Sequence, residues 1–289
     1  GLAWSADSST SQAESSETGK VKPESRQKVG YDLNMFYDTF SSDYDRFVSW
    51  PGRLALEMPF LTRQLREVGA SSVLDAACGT GMHTLALAQV GFQSAGADLS
   101  AGMIDRAREN AQAAGLEIPF RVAGFGELAA AFGIATFDAL FCLGNSLPHL
   151  LSPQLLSAAL ADFARTLKPG GLVIIQNRNF DGVMATRQRW MEPQSAREGQ
   201  TEWLFQRFYD LEPDGLLTFN IITLRREGST NWTQSVQSTQ LRPLLSEELQ
   251  TVFQEAGFES ISCFGDLTGS AFKPESSGNL IIVAKNKKT

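Results

Sequence analysis

The segment Val73-Leu74-Asp75-Ala76-Ala77-Cys78-Gly79-Thr80-Gly81 puts an apolar run, an acidic residue and a glycine turn directly before a helical stretch. Glycines in such a turn let the backbone close on a ligand at the carboxyl edge of a parallel sheet. Asp98 ends the next apolar run, 17 residues after Gly81. A carboxylate at that place can accept both hydroxyls of a ribose. Gly79, Gly81 and Asp98 together point to a nucleoside ligand. The dinucleotide fingerprint needs a third glycine at position 84, where this chain has Thr84. The close helix approach that serves a pyrophosphate is therefore absent.

The surrounding pattern predicts the elements that hold these residues. Val73–Asp75 reads as a strand, Thr84–Val90 as a helix, Phe92–Ala97 as a strand and Ala101–Ala114 as a helix capped by Gly115. The alternation continues through strands at 119–122, 137–142 and 171–176, with a helix at 153–167 between the last two. Repeated strand-helix-strand units predict an α/β, doubly wound, Rossmann-like and mostly parallel sheet. Upstream, 31–68 is helical, with Pro51-Gly52 read as a break between two helices. Beyond Arg187 the rhythm changes to three strands, 202–211, 216–226 and 233–241, joined by Pro213-Asp214-Gly215 and Gly228-Ser229-Thr230. Turns that short predict an antiparallel ribbon inserted at 187–242. A helix N-capped by Ser246 and two final strands, 259–263 and 279–285, complete the expectation. Residues 1–29 read as a disordered tail, because their first 20 are rich in Ser, Thr, Glu and Ala without an apolar period. Residues 30–289 then form one domain.

Composition narrows the function classes. A formal charge of -7 offers nothing to a polyanion, so no nucleic-acid partner is expected. Apolar runs such as 172–175 are strand-sized, so no membrane span is expected. Three cysteines without a CxxC pair fit buried thiols in a reducing, cytoplasmic setting. Two histidines, His83 and His149, are too few for a metal site.

Three ordered motifs carry a family resemblance. Asp75-Ala76-Ala77-Cys78-Gly79-Thr80-Gly81, Gly96-Ala97-Asp98-Leu99-Ser100 followed by Met103, and Leu167-Lys168-Pro169-Gly170-Gly171 resemble the motifs of class I S-adenosylmethionine-dependent methyltransferases. The resemblance spans about residues 31–286 and implies seven strands, the last antiparallel, with S-adenosyl-L-methionine as cofactor. Two further segments, Cys142–Leu150 and Asn177–Asp181, resemble glycine N-methyltransferase and the glycine/sarcosine methyltransferases. That likeness implies Asn145 and Arg178 at a small-molecule acceptor, Arg178 facing its carboxylate. It implies cofactor contacts at Arg53 (methionine carboxylate), Ala77 and Leu143 (backbone), Asp98 (ribose) and Gly124-Phe125 (adenine). His149 is expected to position the loop after strand four and to reach the ligand. Tyr37 and Tyr44 fall in a helical segment, 30–70, that closes as a lid, and the ribbon lies over the carboxyl edge. Leu241-Arg242-Pro243 stands where the glycine enzyme has tyrosines. Arg242 there implies a second guanidinium and an acceptor larger or more acidic than glycine. N-methylation of a small amine carrying a carboxylate is the expected activity. A quinone, phenol or other small acceptor, or a non-catalytic adenosylmethionine-binding module, are the alternatives; oligomeric state is left open.

Overall fold

Strand β1 (Ser72–Asp75) is buried along its whole length, as a central parallel strand covered on both faces must be. It pairs in parallel with β2 (Gln93–Asp98) on one side and β4 (Phe137–Cys142) on the other. β2 continues to β3 (Phe120–Val122), and β4 to β5 (Leu167–Arg178). The last strand, β11 (Asn279–Asn286), is antiparallel to both β5 and β10 (Phe258–Phe264). The order is therefore β3-β2-β1-β4-β5-β11-β10, seven strands with only β11 reversed. The computed structural model describes residues 45–46 and 48–288, so Tyr37, Tyr44 and the tail 1–29 lie outside it.

Alternation along β5 shows how the layers are built. Val173 and Ile175 join the core formed with α5 (Pro153–Thr166) and α7 (Ser246–Glu255), where Leu160, Phe163, Leu249 and Phe253 are fully buried. Leu172 and Ile174 face the opposite way, onto Phe60, Leu61 and Leu65 of α1 (Trp50–Glu67). On that second face α2 (Met82–Gln89) follows the glycine turn, and α3 (Ala101–Ala113) packs Ile104, Ala107 and Ala111 against Phe120. The strand order reverses direction between β1 and β4, which opens the ligand crevice of a doubly wound sheet at their carboxyl ends.

The insertion forms a separate antiparallel sheet of four strands, β6 (Gln194–Glu198), β7 (Thr201–Leu211), β8 (Leu217–Glu227) and β9 (Thr233–Leu241). Tyr209, Leu217 and Leu241 on its inner face pack with Phe180 and Val183 of α6 (Phe180–Thr186), the helix leaving β5. The Arg242 N–H donates to the Pro148 carbonyl at 2.7 Å, tying β9 to the loop after β4. The sheet therefore docks at the carboxyl edge, as expected.

Three local expectations are corrected. Pro51 and Gly52 sit in the first turn of α1 rather than between helices, because proline's missing N–H is no loss there. Ser246 is not an N-cap: Leu245 holds that position without a side-chain bond, while the Ser246 N–H and hydroxyl both donate to Asp181 at 3.0 and 3.2 Å. The ribbon has a fourth strand, β6, whose residues are mostly exposed and carry no apolar alternation. Among the described residues no helix is long and apolar enough to cross a membrane.

Candidate active site

The glycine turn is fixed from several sides. Gly79 and Gly81 adopt φ of 52° and 80°, a left-handed region that side chains disfavour. A Cβ on Gly81 would also stand 2.9 Å from the Ala107 Cβ and 3.0 Å from the Phe120 ring. Gly79 N–H donates to Asp98 Oδ2 at 2.9 Å, and Ser100 N–H to Oδ1 at 3.0 Å. Cys78 N–H reaches the Ala97 carbonyl across β2 at 2.9 Å. Thr80 donates its hydroxyl to Asp45 Oδ1 at 2.7 Å, and the same oxygen accepts the Trp50 indole N–H at 2.8 Å. Asp98 thus both pins the turn and presents a carboxylate at the crevice.

Asp75 ends β1 beneath the turn. Its Oδ2 accepts from Thr84 at 3.1 Å, while Oδ1 is buried without a hydrogen-bond partner among the described residues. Burial pushes this carboxyl up, against the pull of His83 and the Thr84 hydrogen bond. The Ala77 backbone N–H also favours its ionised form.

Arg53 reaches the same crevice from α1. Its Nε lies 3.1 Å from both oxygens of Glu57, its Nη2 donates to Gln176 Oε1 at 3.2 Å, and its Cζ stands 5.2 Å over Trp50. Gln176 Oε1 also accepts Gly144 N–H at 3.1 Å, so the guanidinium is held at the ends of β4 and β5. Ala77 and Leu143 present backbone at this edge, after β1 and β4. Phe125 packs edge-on against Phe163 at 5.5 Å, and Gly124 N–H donates to Glu127 at 3.0 Å.

The second half of the site lies where β5 meets the inserted sheet. Asn145, at φ 70°, accepts the Arg178 N–H on Oδ1 at 2.8 Å, and its own N–H goes to the Gln176 carbonyl at 3.0 Å. The Arg178 Nε is buried and has no hydrogen-bond partner among the described residues. Its neighbour in sequence, Asp181, is turned to Ser246 instead. Tyr209 stands close enough for the charges of Arg178 and Arg207 to act on its phenol. Burial pushes that phenol up to about 12 against their pull.

Arg242 and His149 lie beside this region but not as bare site groups. Arg242 Nη2 is ion-paired with Glu248 on α7, a partner the sequence did not show, while its Nη1 is buried without a hydrogen-bond partner among the described residues. His149 is buried against β9, where the Gln240 backbone contacts it, and burial pushes it down to about 4. It is neutral at physiological pH and braces the loop that carries Asn145. Sequence reading missed Gln176, Glu57, Arg207 and Tyr209. Trp203 and Phe205 are buried in the core of the inserted sheet, and Tyr209 is buried against Phe180 and Val183, where the charge of Arg178 acts on its phenol.

Residues 73–171 match the family model described as a methyltransferase domain. The chain is 31% identical over 250 residues to the glycine/sarcosine N-methyltransferase of Parasynechococcus marenigrum (strain WH8102), covering 84% of this chain and 83% of that protein. It is 30% identical over 242 residues to the enzyme of the same name from Halorhodospira halochloris, covering 80% and 81%. In fold it is similar to an S-adenosylmethionine-dependent methyltransferase from Clostridium acetobutylicum ATCC 824, with a TM-score of 0.70 at 16% identity, covering 88% and 99%.

Proposed function

The chain belongs to the S-adenosylmethionine-dependent methyltransferases, in the family of the glycine/sarcosine N-methyltransferases, and we propose that it methylates the nitrogen of a small amino acid with one carboxylate. The observation that carries the acceptor class is Arg178, whose Nε is buried without a partner while Asn145 fixes its backbone. A guanidinium fork pairs with a carboxylate through two parallel hydrogen bonds, and a buried one without such a partner is costly. Glu248 balances part of the Arg242 charge, which leaves Arg178 as the stronger partner for an acceptor carboxylate.

When bound, S-adenosylmethionine supplies a methyl carbon activated by its sulfonium for in-line displacement. Gly79 and Gly81 shape the turn for the nucleoside, and Asp98 would hold the ribose hydroxyls, Phe125 the adenine and Arg53 the methionine carboxylate. Arg178 and Asn145 place the acceptor so that its nitrogen lone pair points at the methyl carbon. That nitrogen must arrive without its ammonium proton, and apolar surroundings under the inserted sheet lower its pKa. No strong acid or base on the protein is needed, so positioning and exclusion of water are its main contribution.

The test is Arg178→Lys, assayed with glycine, sarcosine and a panel of neutral amines, phenols and quinones. The acceptor KM should rise about tenfold or more while cofactor affinity stays within twofold, because lysine keeps the charge but loses the fork. A best acceptor without a carboxylate, together with an indifferent Arg178→Lys variant, would sink the assignment and put a phenol or quinone in its place.

A further inference from the structure

His83 is the second residue of the helix that leaves the glycine turn, yet its ring faces away from the turn, toward α1. Its Nε2 lies 2.6 Å from Glu57 Oε2, and its ring packs edge-on against Trp50 at 5.4 Å and 85°. Both His83 and Glu57 are buried. Burial alone would raise the Glu57 carboxyl, but the hydrogen bond to His83 and the charge of Arg53 outweigh it and hold the carboxyl below its ordinary value. Glu57 is therefore an ionised acceptor, and the proton of this bond sits on His83 Nε2.

We propose that His83 is a positioning residue for the cofactor: through Glu57 it holds the Arg53 guanidinium at the β4–β5 edge, where the methionine carboxylate binds. This rests on the assignment of Arg53 above. An arginine side chain loses much rotamer freedom when it is held in one geometry. Arg53 is held on three sides: by the Glu57 fork at its Nε, by the Trp50 ring at its Cζ, and by Gln176 at its Nη2. Glu57 can hold its fork square to Arg53 only if its own second donor is in place. A buried carboxylate missing one donor turns to find another or draws in water. His83 supplies that donor from the helix of the glycine turn. One brace thus links the element that shapes the nucleoside site to the element that carries the carboxylate ligand. Trp50 completes it, stacking under Arg53 and against His83 while its indole N–H holds Asp45.

Two ligands separate this role from a merely structural one. S-adenosylhomocysteine carries the amino-acid carboxylate, whereas 5′-methylthioadenosine keeps the nucleoside and thioether but lacks it. Calorimetry with both, on the full chain, compares wild type, His83→Leu, His83→Gln, Arg53→Met and the double variant Arg53→Met/His83→Leu. His83→Leu should weaken S-adenosylhomocysteine about 5- to 20-fold and leave methylthioadenosine within about twofold, as a coupling confined to one contact requires. His83→Gln, which restores a donor, should recover most of the loss. The double variant should bind S-adenosylhomocysteine no more weakly than Arg53→Met alone. Equal loss on both ligands, or full additivity in the double variant, overturns the proposal. If Arg53→Met spares S-adenosylhomocysteine, the Arg53 assignment itself falls, independently of His83. Should His83→Leu not fold, Glu57→Gln carries the same comparison with the same expected selectivity.

Discussion

Replacing Asp98 with alanine removes a carboxylate that does two jobs. Its oxygens each accept a backbone N–H, from Gly79 at 2.9 Å and Ser100 at 3.0 Å, so the turn and the start of α3 depend on it before any ligand arrives. On the proposed reading the ribose hydroxyls would add charge-assisted bonds to the same group. One hydrogen bond to a charged partner contributes about 1.5–3 kcal/mol, so Asp98→Ala should raise the Kd for S-adenosylhomocysteine roughly 10- to 150-fold. Asparagine is not a conservative exchange here. Both oxygens face N–H donors, so an amide leaves its NH₂ against either Gly79 or Ser100 whichever way it turns. Asp98→Asn should therefore fall nearer to alanine than to wild type. Isothermal calorimetry measures the Kd, with NAD as a ligand that should not bind, and a thermal melt separates turn stability from binding. A folded Asp98→Ala protein whose Kd stays within twofold of wild type would refute the placement of the nucleoside at this turn, and with it the cofactor site.

Two further outcomes follow from His149 and Asp138. His149 is pushed down to about 4 from an ordinary 6.5. The unfolded chain therefore binds its proton first, and stability is lost as pH falls from about 6.5 toward 4, by about 3 kcal/mol in total. Denaturant melts at pH 7 and 5 should show a smaller drop for His149→Gln than for wild type; equal drops would mean that this histidine does not set the slope. At the opposite, amino edge, Asp138 accepts the N–H and hydroxyl of both Ser71 and Ser72 at 2.8–3.0 Å and pairs with Lys168 at 2.7 Å. Asp138→Ala should cost about 2–3 kcal/mol of stability while leaving cofactor Kd unchanged, since the crevice lies at the other end of the strands. A changed Kd would show that the two edges are coupled.

The sheet was legible because its signals are local. A buried strand running into a glycine turn, and a helix after each strand, lie within a few residues of one another. The parallel order of β1, β2 and β4 came through for that reason, while the reversed last strand rested on the family resemblance. What stayed hidden has no local signature. β6 is an edge strand whose mostly exposed, polar residues show no alternation. Ser246 has the right type for a cap, but Asp181, 65 residues away, claims both its donors. The His83–Glu57–Arg53 brace joins helices through residues 26 apart and reaches Gln176 across 123. In sequence, none of those residues carries a local sign of the partner it meets.

Arg242 shows where a motif comparison and a charge balance part company. Replacement of an aromatic by a cation in a substrate pocket implies a more acidic substrate only if the cation arrives alone. Here Glu248 lies six residues on, in the first turn of α7, and the chain direction at Arg242 is fixed by its N–H bond to Pro148. The pair brings a plus and a minus charge together, so its net effect on a carboxylate at Arg178 is small compared with a bare guanidinium. On the proposed reading the acceptor carboxylate meets Arg178, whose charge, like that of Arg207 on the inserted sheet, acts on the Tyr209 phenol. On the inner face of that sheet Tyr209, Leu217 and Leu241 are buried against Phe180 and Val183 of α6, so the sheet is held firmly beside Arg178.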